Sequence, residues 1–210
     1  MAERIDDRMM QPVLPRRRMS IHLDAPLSDD EFQTLCQRNP QLIIEQSPDG
    51  SLVLMAPTGG ASGNRNLTIG FHLAAWIEEH GGFGFDSNTM FRLPNGAHRM
   101  PDVAWVQRAR FLALSEAERE GFVPLAPDFV IELRSPTDDL SALKDKMNEY
   151  MRAGVRLGWL IDPQTKTVTM YRDDGTQETL DQPATVVAET VVDGFTLPMA
   201  RVWNPFGRAR

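Results

Sequence analysis

Apolar side chains recur at helical spacing in three segments of the chain, and each segment ends at residues that stop helices. The first, over residues 28–39, opens with a capping-box pattern, and the second, over residues 64–80, runs into two glycines. The third can be capped by Thr137 or Asp138 and is stopped by Gly154. The pattern therefore predicts three helices, and the second is long enough to cover one face of a domain core.

Short apolar runs between turn-forming residues predict strands. Residues 41–46 and 51–55 flank a Ser-Pro-Asp-Gly turn and predict an antiparallel hairpin. Residues 128–134 form a nearly continuous apolar run between two prolines, which is typical of a strand buried on both faces. Further strands are predicted at 84–86, 89–93, 102–106, 157–162, 167–172, 185–192 and 195–197, the first three of them in one sheet.

The order of these elements predicts one α/β domain over residues 27–210, preceded by an arm over residues 1–26 that lacks any apolar period. No apolar run reaches the ~20 residues that a membrane-spanning helix needs, and the N-terminal segment lacks a signal core. We therefore expect a cytoplasmic protein without a membrane partner. The single cysteine, Cys36, cannot form an internal disulfide.

A net charge of −7 argues against a protein that coats nucleic acid non-specifically, because such proteins usually carry a basic surface. It does not exclude an enzyme that acts on nucleic acid, since a metal site itself needs clustered carboxylates. A local basic rim can be built from four arginines: Arg92, Arg99, Arg108 and Arg110.

Two acidic residues stand in apolar strand segments, Asp102 at the start of one and Glu132 inside another. A buried carboxylate costs several kcal/mol unless it is paired or binds a cation. Glu132 is therefore expected either to meet a basic side chain, such as Arg134 or Lys146, or to hold a metal. For Asp102 the simpler alternative is a turn or capping residue. Glu45 and Asp86 are candidate supporting groups, and a turn residue at a strand end explains each of them equally well.

The third predicted helix carries Lys144 and Lys146 on opposite flanks of its apolar stripe. This helix is expected to pack over the strand that precedes it. A lysine on the flank that borders the strand can then extend its ammonium to the strand carboxylate. Either a catalytic lysine or a lysine that only snorkels along the helix explains Lys146. The four histidines show no ligand spacing, so the sequence does not indicate a zinc site.

In these segments the chain resembles the Uma2-type endonuclease family, also described as DUF820-like, within the PD-(D/E)XK nuclease superfamily. The residues that carry the resemblance are Pro57 to Gly60, Pro101 to Val103, Pro127 to Pro136, Leu143, Lys146, Glu149, Tyr150, Gly154 and Gly158 to Pro163. The resemblance implies a restriction-endonuclease-like mixed central sheet flanked by helices, here with an N-terminal hairpin extension. It also implies a DNA substrate, with Asp102 and Glu132 binding Mg²⁺ or Mn²⁺.

The chain departs from the superfamily pattern at the position two residues after the glutamate, where Arg134 replaces the usual lysine. An arginine stays protonated and cannot act as a base, but it can clamp a phosphate. The resemblance moves the lysine role to Lys146, which would position or deprotonate a water or neutralise the phosphate. It aligns Thr68 with a position of the long helix that is often acidic in related sequences, and the threonine argues against a second metal here.

A second hypothesis is a non-catalytic member of the same fold that acts as a nucleic-acid or protein interaction module, with a homodimer as one arrangement. The net charge and the arginine at position 134 favour this alternative. The distance between the carboxylates of Asp102 and Glu132 distinguishes the two hypotheses, because a shared cation requires them to lie within ~5 Å of each other.

Overall fold

The computed structural model describes residues 19–207, which fold into two main sheets, a two-stranded sheet and six helices. The strands are β1 (Met19–Ile21), β2 (Ile43–Gln46), β3 (Leu52–Met55), β4 (Phe83–Asp86), β5 (Phe91–Arg92), β6 (His98–Arg99), β7 (Val103–Val106), β8 (Phe129–Leu133), β9 (Leu157–Asp162), β10 (Thr167–Arg172), β11 (Gln177–Asp181), β12 (Thr185–Val187) and β13 (Thr196–Pro198). The helices are α1 (Asp29–Arg38), α2 (Gly60–His80), α3 (Arg108–Leu112), α4 (Glu116–Glu120), α5 (Leu140–Arg152) and α6 (Ala200–Trp203).

The six-stranded sheet has the order β11-β10-β9-β8-β7-β4 and is mixed, because β8 runs parallel to β9 and antiparallel to β7. Strand β8 is buried along its whole length, as its continuous apolar run predicts. Alternate side chains of β8 pack in two different hydrophobic clusters. Ile131 packs in the cluster that contains Ile69 and Leu73 of α2, whereas Val130 packs in the cluster that contains Met147 of α5. The two longest helices thus cover opposite faces of the sheet, and the predicted mixed sheet flanked by helices is confirmed.

The predicted N-terminal hairpin is present as β2 and β3, paired from Ile43 with Met55 to Gln46 with Leu52. It belongs to a second, five-stranded sheet with the order β1-β3-β2-β6-β5, against which α1 packs through the buried Phe32. The expectation that residues 84–86, 89–93 and 102–106 share one sheet is wrong for the middle segment. A tight turn with Gly96 at φ 84 folds β5 back onto β6, and β6 pairs with β2.

Two further predictions need correction at their boundaries. Helix α5 is capped by Asp139, whose carboxylate accepts the N–H of Ala142 at 2.8 Å, because the carboxylate of Asp138 already accepts the N–H of Ser135. The predicted arm contains β1, which pairs with β3, so its last residues join the second sheet. Residues 1–18 of the predicted arm lie outside the described residues.

Helix α5 ends as the sequence predicts, with Gly154 in the left-handed region at φ 100 directly after the capping residue Ala153.

Within residues 19–207, no helix combines the length and the apolar character needed to cross a membrane.

Candidate functional site

A pocket of about 720 Å³ opens where the start of α2, the segment before β7, the end of β8 and one flank of α5 meet. Asp102, Glu132 and Lys146 all line it, although they come from three different elements. The antiparallel register that pairs Val103 with Ile131 places Asp102 opposite Glu132 when it is continued by one residue. Three of the four predicted site residues are therefore brought to one cavity.

Asp102 is held by two hydrogen bonds that leave its carboxylate at the pocket wall. One oxygen, Oδ1, accepts a side-chain N–H of Asn66 at 2.8 Å, and Oδ2 accepts the backbone N–H of Leu133 at 2.8 Å. Removal from water raises the pKa of Asp102, and these two hydrogen bonds only partly oppose the shift. The residue is thus anchored to both α2 and β8 rather than serving as a turn residue at the surface.

Glu132 is buried and uses one carboxylate oxygen for two partners. Its Oε1 lies 2.7 Å from the ammonium of Lys146 and accepts the hydroxyl of Tyr150 at 2.9 Å. Burial raises the pKa of Glu132 to about 7, against the opposing effect of Lys146. Burial also raises the pKa of Tyr150, and the neighbouring Glu132 adds to the shift, so the phenol stays a hydrogen-bond donor.

Lys146 is only 5% exposed and extends from α5 towards the carboxylates. Its ammonium contacts Glu132 at 2.7 Å, Glu45 at 2.8 Å and the backbone carbonyl of Met100 at 3.4 Å. The ion pair of Glu132 with a basic residue, which the sequence leaves as one alternative, is thus made with Lys146.

Glu45 lies at the centre of the charged cluster, on β2 of the second sheet, and is completely buried. Besides Lys146, it accepts the backbone N–H of Met100 at 2.9 Å and a guanidinium N–H of Arg99 at 3.1 Å. Arg99 in turn clamps both oxygens of Glu149, at 2.8 Å and 2.7 Å. Burial works to lower the pKa of Arg99, but its hydrogen bonds to Glu149 and its attraction to Glu45 prevail and raise it.

The predicted basic rim is not assembled around the pocket, and for Arg99 the prediction is wrong because its side chain is buried in the cluster. Arg92 pairs with Asp29, and Arg110 lies 2.8 Å from a carboxylate oxygen of Asp128. The guanidinium of Arg108 lies 5.9 Å from the ring centre of Phe83. None of the four is among the described residues that line the pocket.

Arg134 does not join the other three predicted site residues at the pocket. Its guanidinium lies 2.8 Å from Asp162 on the neighbouring strand β9, and it does not line the pocket. The helix α2 is represented in the site by Asn66 rather than by Thr68, whose hydroxyl donates to the carbonyl of Asn64 within the same helix. Asp86 accepts hydrogen bonds from its own turn, at Asn88 and Thr89, as its turn reading predicts.

The donor set suits a hard divalent cation. Four carboxylates, Glu45, Asp102, Glu132 and Glu149, stand against two cationic side chains, Arg99 and Lys146, which leaves the cluster two positive charges short. In residues 19–207 no three His, Cys, Asp or Glu side chains form a ready-made metal group. Two carboxylates with water and substrate oxygens are nevertheless a usual set for Mg²⁺. Asn66 adds an uncharged oxygen, Oδ1, which is buried and has no hydrogen-bond partner among the described residues.

Comparisons with known proteins agree with this architecture. A family model described as "Uma2: Putative restriction endonuclease" matches residues 29–200. The fold is similar to the crystal structure of "a putative nuclease belonging to DUF820" from Anabaena variabilis. That similarity has a TM-score of 0.70 at 21% sequence identity and covers 85% of this chain and 98% of the other. No curated protein matches the chain.

Proposed function

The chain belongs to the Uma2 restriction-endonuclease family, and we propose that it is a divalent-metal-dependent endonuclease that hydrolyses DNA phosphodiester bonds. The observation that carries the proposal is the convergence of Asp102, Glu132 and Lys146 on one open pocket. These residues come from three different elements, and the fold brings two carboxylates and an ammonium to the wall of the same pocket. Family membership and the nuclease-like fold support the reaction class.

Asp102 and Glu132 are the residues that would hold Mg²⁺ or Mn²⁺. When bound, such a cation stabilises the charge that develops on the phosphate and makes a bound water more acidic. Asn66 and the N–H of Leu133 fix the direction of the Asp102 carboxylate. Tyr150 fixes Glu132 by donating to Oε1, which Lys146 also contacts, so we assign the cation to the other oxygen, Oε2.

Lys146 supplies a positive charge and hydrogen-bond donors at the same pocket wall. We assign it the role of holding the attacking water or a non-bridging oxygen of the phosphate. Hydrolysis then adds the water across one phosphorus–oxygen ester bond, and the displaced sugar oxygen takes up a proton. The proposal does not include a phosphate clamp at Arg134, because its guanidinium is committed to Asp162 and ties β8 to β9.

The proposal is tested by incubating supercoiled plasmid with the purified chain and Mg²⁺ or Mn²⁺, with EDTA as the metal-free control. The variants Asp102→Ala, Glu132→Ala and Lys146→Ala are expected to lower the rate by about 100-fold or more, the scale for losing one preorganised charge-stabilising group. Cleavage that survives all three substitutions would assign the activity to another site. Absence of metal-dependent cleavage by the unsubstituted chain would favour the non-catalytic alternative.

Substitution of Arg134 tests whether this residue contacts the substrate or only pairs with Asp162. Arg134→Gln removes the ion pair with Asp162 but no group at the pocket, so we expect cleavage to stay within about threefold of the unsubstituted chain. The measurement is the initial rate of plasmid nicking at saturating Mn²⁺. A loss comparable to that of Lys146→Ala would show instead that Arg134 contacts the substrate.

A further inference from the structure

The ammonium of Lys146 has no donor to spare in the structure. It carries three N–H groups, and three acceptors surround it: Glu132 at 2.7 Å, Glu45 at 2.8 Å and the carbonyl of Met100 at 3.4 Å. A role at the substrate therefore requires that Lys146 give up one of these partners.

Glu45 is the partner that is most firmly held. Its carboxylate accepts the N–H of Met100 and the guanidinium of Arg99, and Arg99 is itself fixed by two hydrogen bonds to Glu149. Glu132, by contrast, borders the open pocket and is one of the two proposed cation ligands. A cation at Glu132 repels the ammonium that lies 2.7 Å from the same carboxylate.

We propose that Glu45 is a positioning residue, which keeps Lys146 as its ion-pair partner when a divalent cation displaces the ammonium from Glu132. The inference rests on the proposed metal-dependent function. Lys146 would then compete with a bound cation for Glu132, and the ion pair with Glu45 would hold the ammonium away from Glu132. The N–H that Lys146 withdraws from Glu132 becomes available to the water or phosphate, so the cation and the lysine act in a fixed order.

The charges of the cluster agree with this exchange. Without metal, its four carboxylates face two cationic side chains, and one dication supplies the missing two charges. Lys146 remains paired throughout because Glu45 does not touch the cation in this scheme. Without Glu45, the buried ammonium would have Glu132 as its remaining carboxylate partner and would bind it more tightly.

The experiment measures Mn²⁺ binding to the metal-free full-length chain by isothermal titration calorimetry at pH 8, without DNA. Lys146→Met removes the competitor and is expected to tighten Mn²⁺ binding roughly tenfold, the scale of the weaker measured couplings between close charge pairs. Lys144→Met is the matched control, because it removes the same charge from an exposed position of the same helix. It is expected to leave the affinity unchanged.

Glu45→Gln is expected to weaken Mn²⁺ binding several-fold in the unsubstituted background and to lose most of that effect in the Lys146→Met background. This dependence identifies Glu45 as acting through Lys146, because a general loss of structure would weaken Mn²⁺ binding equally in both backgrounds. Circular dichroism and the thermal midpoint of each variant confirm that it is folded, and Glu45→Asp serves in place of an unfolded Glu45→Gln.

Equal weakening in both backgrounds, or a Lys146→Met variant that binds Mn²⁺ no more tightly, overturns the inference and leaves the proposed function intact. Absence of Mn²⁺ binding by the unsubstituted chain, or binding that survives Asp102→Asn, overturns both.

Discussion

Replacing Arg99 by methionine is expected to lower the free energy of unfolding by about 3–5 kcal/mol, the cost of removing one partner from a buried ion pair. The substitution leaves Glu45 and Glu149 without their shared cation, and Glu45 has no exposure to water. The methionine fills much of the space of the lost side chain, so the loss reports the charges more than a cavity. Urea denaturation followed by circular dichroism gives the free energy from the midpoint and the slope.

Arg156→Met is the matched control for this measurement. Arg156 lies 3.8 Å from Asp173 in a pair whose side chains are both well exposed, and such pairs contribute only about 0–1 kcal/mol. The two variants lose the same charged group from different depths of the molecule. If Arg99→Met costs no more than Arg156→Met, the buried cluster does not stabilise the fold in the way its geometry indicates.

The metal-free chain is expected to lose stability as the pH rises through the range in which Glu132 titrates. The pKa of Glu132 is about 7 in the folded chain, against an ordinary value of 4.5. Between these values the folded chain binds a proton that the unfolded chain has released, so the free energy of unfolding falls with rising pH and levels off above about 7. The full change is on the order of 3 kcal/mol at 1.36 kcal/mol per pKa unit.

Glu132→Gln isolates this contribution because glutamine does not titrate. We expect the difference in unfolding free energy between the two EDTA-treated chains to change across pH 4.5–7.5, with the unsubstituted chain losing the more stability. Parallel pH profiles would contradict the assignment. Saturating Mn²⁺ at pH 8 is expected to restore stability to the unsubstituted chain, since a ligand that binds only the folded state stabilises it.

The carboxylates and the lysine of the candidate site could be predicted because each violates a local pattern. Glu132 interrupts a continuous apolar strand, and Lys146 sits at the edge of an apolar helical stripe. Periodicity places Glu132 in β8 and both Lys144 and Lys146 on flanks of α5, and a helix that follows a buried strand packs back over it. The choice of Lys146 over Lys144 comes from the family resemblance. The structure accordingly places the two side chains in contact.

The roles of Glu45 and Arg99 could not be predicted in the same way. Strand β6 has only two residues, and a single residue pair, Gln46 with His98, joins it to β2. No period in the sequence indicates so short a pairing between distant segments, so Arg99 reads as a surface arginine when it is in fact buried. Glu45 shows only as a candidate supporting group because its partners all come from other parts of the chain.

Asn66 illustrates a smaller error of the same kind. The resemblance points to α2 but aligns Thr68 with the supporting position, two residues further along the helix. Two residues are about 200° of helical rotation, so the predicted side chain lies on a different side of α2 from Asn66. The hydrogen bond of Asn66 to Asp102 shows which face of α2 belongs to the site.

The contact between Lys146 and Glu45 joins residues that are 101 positions apart and belong to different layers of the molecule. During synthesis, the hairpin that carries Glu45 emerges from the ribosome well before α5. A growing polypeptide therefore has no assembled centre until its second half has folded against the first. The proposed site is therefore expected to be complete only after α5 has been made, and a chain that stops before Lys146 would lack it.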